Sequence, residues 1–103
     1  MAGEEAKIER KVCKDALRYH GVESIKQKRV GWPDQLFLLG RGEVLYIEFK
    51  RPLEEPTAYQ YHVLKYLTDN GYRAVWVDNY ASAMQHIREA LADVHNKTRR
   101  GRG

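Results

Sequence analysis

Residues 31–52 read GWPDQLFLLGRGEVLYIEFKRP, two apolar runs separated by Arg41-Gly42. The second run, Glu43–Lys50, alternates with a period of two. Leu45, Ile47 and Phe49 therefore belong to one face of a strand, and Tyr46, Glu48 and Lys50 to the other. The first run, Gln35–Leu39, is short, mostly apolar and bounded by turn residues, which suits a strand covered on both faces. Strand-like flanks and a short glycine-containing gap make the pair a β-hairpin. Gly31-Trp32-Pro33 interrupts regular structure before it, and Arg51-Pro52 ends it.

On the N-terminal side, residues 4–20 carry Ile8, Val12, Ala16 and Tyr19 or His20 at three-to-four spacing, with Leu17 flanking, and predict an amphipathic helix stopped by Gly21. A strand is expected across Ser24–Arg29. On the C-terminal side, Thr57 is the expected N-cap of a helix reaching Asn70, with Tyr59, Val63, Tyr66 and Leu67 as its apolar stripe. Arg73–Val77 is β-branched and aromatic, hence a strand. Asp78 or Asn79 then caps a last helix in which Met84, Ile87, Leu91 and Val94 repeat at three and four. The predicted order is αβββαβα, an α/β protein with a mixed central sheet flanked by helices.

At 103 residues the chain is expected to form one domain over residues 1–96, followed by a flexible basic tail at 97–103. The net charge of +4 resides in that tail: Lys97, Arg99, Arg100 and Arg102 leave residues 1–96 with equal numbers of acidic and basic groups. The tail is either an arm for phosphates or a solvated end without a role. The single cysteine, Cys13, excludes an internal disulfide and a CxxC metal clip, and is read as a small hydrophobe of the first helix. The four histidines lack zinc-site spacing. No apolar run is long enough to cross a bilayer and no signal-peptide pattern opens the chain, so a cytoplasmic location without membrane contact is expected.

The chemistry gathers around the hairpin. Asp34 stands at the start of its first strand and Glu48 near the end of the second, and antiparallel pairing brings such ends together. Lys50 leans from the same face as Glu48. Two neighbouring carboxylates repel one another unless a cation is present. Mg²⁺ or Mn²⁺, a hard ion that takes one or two carboxylates and completes its shell with water and phosphate, resolves the conflict. Lys50 is then placed to orient or deprotonate an attacking water, or to stabilise the charged transition state. These three roles remain open.

Gly31-Trp32-Pro33-Asp34 followed by Glu48-Phe49-Lys50 resembles the G-x-P-D…E-x-K signature of the PD-(D/E)xK nuclease superfamily. Within it the chain is most similar to the VRR-NUC group, particularly its small stand-alone members found in phages, over about residues 5–87. The resemblance implies a restriction-endonuclease-like fold and a helical glutamate at Glu5 that completes the acidic site, with Glu9 as its substitute one turn later. It also implies a backbone-carbonyl metal ligand at Phe49 and a glutamine at Gln60 near the scissile phosphate. Arg51-Pro52 follows the E-x-K as in many members. Trp32 departs from the small or basic residue common there, and either packs on the core or stacks on a base or sugar.

The expected function is metal-dependent endonucleolytic hydrolysis of DNA. The resemblance implies a branched, Holliday-junction-like substrate and a homodimer, which would be phage-encoded and act in a bacterial host's cytoplasm. No small-molecule cofactor is expected. Lys26, Lys28, Arg29, Arg51, Arg99 and Arg100 are the candidate DNA contacts, Lys26 and Lys28 as neighbours on one strand face. Two rival functions are a monomeric nuclease for flaps or nicks, and a non-catalytic DNA-binding module.

Overall fold

The computed structural model describes residues 3–100, with side chains through Lys97. The elements are α1 (Glu4–His20), β1 (Ser24–Lys26), β2 (Gln35–Gly40), β3 (Glu43–Phe49), α2 (Ala58–Asp69), β4 (Arg73–Val77) and α3 (Tyr80–Arg100). The αβββαβα order is thus as expected, and the protein is α/β. The sheet runs β1-β2-β3-β4 and is open and mixed, with β1–β2 and β2–β3 antiparallel and β3–β4 parallel. No helix among the described residues is long and apolar enough to cross a membrane.

The hairpin closes through Arg41 and Gly42, both at positive φ (59° and 77°), with Gly40 paired to Glu43. Two successive left-handed residues give the turn a twist that matches right-twisted strands. Phe37 and Leu39, two residues apart, both face inward, and the pairing shifts register between Leu38 and Gly40 as the strand enters the turn.

That inner face meets α1 and α3. Val12 and Ala16 of α1, Phe37, Leu39, Leu45, Ile47, Phe49 and Val77 of the sheet, and Ala83, Met84, Ile87, Ala90 and Val94 of α3 form one buried cluster. The α3 stripe is the expected one, widened by alanines, and Asn79 caps it by accepting from the Ser82 N–H at 2.8 Å. Cys13 packs half-buried against the cluster, and its burial raises the thiol pKa. Asp15 falls inside the α1 stripe, buried, where it accepts from Tyr80 (2.6 Å) and Lys11 (3.0 Å). Tyr19 and Leu17 are exposed instead.

Three expectations change. The strand read across residues 24–29 ends at Lys26, so Lys28 lies outside it and shares no strand face with Lys26. β2 is not covered on both faces: Phe37 is fully buried but Leu38 is 42% exposed. The cause is the placement of α2, which packs toward β4 and leaves the β1–β2 half of the outer face open. Finally, α3 continues through Arg100, so the stretch read as a flexible tail is helical over residues 97–100. The side chains of Arg99 and Arg100 and residues 101–103 lie outside the described part.

Candidate active site

Asp34 precedes β2 at the end of the sheet where β3 leaves it. Its Oδ2 accepts from the Phe49 N–H at 2.8 Å, which ties the Pro33-Asp34 segment to the end of β3. Glu48, one residue earlier on β3, points to the outer face and is 4% exposed. Desolvation, followed by the charge of Asp34, pushes its carboxyl up to about 7. Burial likewise raises Asp34, and the Phe49 N–H and nearby lysines oppose the shift only in part. The expected juxtaposition of Asp34 and Glu48 is therefore present, and so is its electrostatic cost.

Two side chains address Glu48 Oε2. Lys50 Nζ lies 3.5 Å away, on a side chain only 13% exposed. Gln60 Nε2 donates to the same oxygen at 3.0 Å. Gln60 is aimed there by local helix chemistry. Thr57 accepts from the Gln60 N–H at 3.2 Å while Gln60 Oε1 accepts from the Thr57 N–H at 2.9 Å, a reciprocal capping box. With its oxygen committed to the cap, the amide presents its NH₂ to the carboxylate. Thus the N-terminus of α2 and the third residue of its first turn carry the outer side of the site.

The inner side is carried by α1, and here the sequence offered two glutamates. Glu9 Oε2 accepts from Gln35 at 2.5 Å and from Lys26 at 2.7 Å. Lys26 Nζ also lies 3.9 Å from Asp34 Oδ1, and the charge of Glu9 adds to the raised pKa of Asp34. Glu9 is therefore connected to Asp34 through a lysine. Glu5, one turn earlier, has Arg51 Nε 3.6 Å from its Oε2. That oxygen is solvent-inaccessible and makes no hydrogen bond. The buried Gln35, read from sequence only as part of an apolar run, is the residue that anchors Glu9. Its position opposite Ile47, on the face toward α1, was the available signal.

Of the remaining expected contacts, Lys26 is drawn into the acidic cluster, and Arg51 stands beside Glu5 and Glu54 (3.7 Å). Lys28 and Arg29 are exposed and form no ion pair among the described residues. Trp32 packs edge-on to Tyr66 with ring centres 6.3 Å apart, and the Arg29 guanidinium lies 4.5 Å over its ring. The Phe49 peptide passes directly beside Asp34 through its N–H.

Among the described residues no group of three or more Asp, Glu, His or Cys side chains is close enough to hold a metal ion. Two carboxylates are nevertheless a sufficient protein share for Mg²⁺, which normally keeps several waters. The raised pKa values of both carboxyls fit a cation placed between them. No model of a known protein family matches the chain, and no curated protein matches its sequence.

Proposed function

We propose that this protein is a metal-dependent endonuclease that hydrolyses phosphodiester bonds in DNA, built on a restriction-endonuclease-like version of the αβββαβα fold. The observation that carries it is the half-buried Asp34 beside the buried Glu48, both carboxyls raised chiefly by desolvation, with Lys50 and Gln60 both directed at Glu48. Such a group has little value to stability, since like charges in a desolvated place cost free energy. It has value where a divalent cation and a phosphate are to be held. The resemblance of Gly31–Asp34 and Glu48–Lys50 to the VRR-NUC pattern supports the same reading.

Asp34 and Glu48 would hold Mg²⁺ or Mn²⁺, with the Phe49 carbonyl and either Glu5 or Glu9 as further contributors. When bound, the ion supplies charge for the phosphate oxygens and a lowered pKa for water. Lys50, held in place by Glu48, puts an ammonium beside the attacked phosphate, where it stabilises developing negative charge. Gln60, its oxygen held by the cap of α2, keeps Glu48 oriented through its NH₂ and would help to position the phosphate. Of the candidate contacts whose side chains are described, Lys28 and Arg29 have no acidic partner among the described residues and are available for phosphates; Lys26 is occupied with Glu9.

A branched substrate and a homodimer complete the proposal. β4 is the edge of the sheet, and open grooves of about 360 and 500 Å³ border it. A second copy added antiparallel along β4 would satisfy the free edge and bring two sites onto one body. The deciding experiment incubates labelled junction, flap, nicked and linear duplex DNA with Mg²⁺, Mn²⁺ or EDTA. Cutting is expected only with metal, and most on the junction, with Glu48→Ala and Lys50→Ala folded but inactive. Cleavage that survives either substitution would remove the assignment.

A further inference from the structure

Beside the carboxylates lies a second feature that the hydrolytic chemistry does not use. Arg29, Trp32, Tyr59, His62, Val63 and Tyr66 line an open cavity of about 320 Å³. From sequence, Tyr59 and Tyr66 belong to the buried stripe of α2. In the structure that stripe is Val63, Leu64 and Leu67, whereas Tyr59 and Tyr66 are 52% and 53% exposed. Their rings turn toward Trp32 and His62 instead: Trp32 meets Tyr66 edge-on, and Tyr59 stacks near-parallel on His62 with centres 6.4 Å apart. One wall is held tightly, because a Cβ on Gly31 would stand 2.1 Å from the Tyr59 ring.

We propose that this aromatic cavity holds an unpaired nucleobase belonging to the strand whose phosphate lies at Asp34 and Glu48. The inference rests on the nuclease reading of that site and specifies its substrate: a strand with an unstacked base next to the cut. Three observations select this occupant. Several aromatic rings around one small space offer π-faces to a planar heterocycle, whatever its identity. At the mouth stands Arg29, stacked on Trp32 and free of any carboxylate among the described residues, with exposed Lys28 beside it; an anionic linkage attached to the base is what these cations complement. The cavity also shares its backbone with the site. Trp32 is two residues from Asp34, at most about 7 Å along an extended chain, and Tyr59 precedes Gln60 on α2. That separation corresponds to one or two nucleotides along a strand. A helix of a protein partner would need an extended apolar groove, and this cavity is short, basic and aromatic.

The test uses the intrinsic fluorescence of Trp32, made the only indole by Trp76→Phe, in a chain rendered unable to cut by Glu48→Gln. In EDTA, a short oligothymidylate should quench it, and a sugar–phosphate oligomer of equal length without bases should not. Equal quenching by both, or by neither, overturns the proposal. In a second arm the otherwise native chain cuts gapped DNA with Mg²⁺. Removing the base nearest the cut should lower kcat/KM about tenfold to a hundredfold, and Trp32→Leu should cause a similar loss that base removal no longer deepens. Equal rates on the two substrates would also overturn it. Base-dependent quenching without any Mg²⁺-dependent cutting refutes the nuclease reading while the base site stands; cutting without such quenching does the reverse.

Discussion

Between pH 4.5 and about 7 the buried Glu48 carboxyl keeps a proton that the unfolded chain has released. The native state binds more protons there, so the contribution of this group to stability is full at low pH and falls as pH rises through that window. At pH 8, without metal, Glu48→Gln should therefore stabilise the protein by on the order of 3 kcal/mol, and most of that difference should be gone by pH 5. Thermal melts of both chains in EDTA at the two pH values would measure it. Mg²⁺ should reverse the order at pH 8, raising the melting temperature of the native chain and leaving Glu48→Gln unmoved. Asp34, Glu48 and Lys50 were legible as a group because strand alternation and hairpin pairing are local rules. The attachment of Glu9 through Gln35 and Lys26 was not, since which face α1 turns to the sheet depends on packing far from either residue.

At the scale of elements, the first turn of α2 joins stability to the site. Thr57→Ala removes the cap and should cost about 1 kcal/mol in denaturant unfolding. It also frees the Gln60 amide to rotate, so kcat should fall as well, whereas Thr57→Ser should restore both. The loop before β2 makes a different demand. Gly31 sits at φ 81° with the Tyr59 ring against it. Gly31→Ala should destabilise the fold by about 1–3 kcal/mol, and adding Tyr59→Ala should recover only the part due to the clash. Sequence signals for caps and turns placed α1, α2, β4 and the hairpin within a residue or so, because these signals act within a few positions of the chain. The strand across residues 24–29 was overextended: its Ile25 is the one strong apolar residue, and only pairing with residues 35–37 defines where β1 stops.

Across the whole molecule, the open edge at β4 bears on assembly. If two copies join there, Ala74→Lys, on the outer face of that edge strand, should yield a monomer by sedimentation while retaining the fold by circular dichroism. Such a variant should nick one strand of a junction rather than cut two symmetrically. A native chain that sediments as a monomer would favour single-strand cutting of flaps or nicks.

The order of elements, the hairpin turn, the faces of β3 and the grouping of Asp34, Glu48 and Lys50 followed from sequence alone, because each depends on periodicities and steric rules spanning a few residues. Tertiary packing decided which side of α2 is buried, which of the candidate cations remain free of acidic partners, and which glutamate of α1 is linked to Asp34 through Lys26. These outcomes turn on how helices settle against a twisted sheet, a choice made by shape and burial among residues distant along the chain.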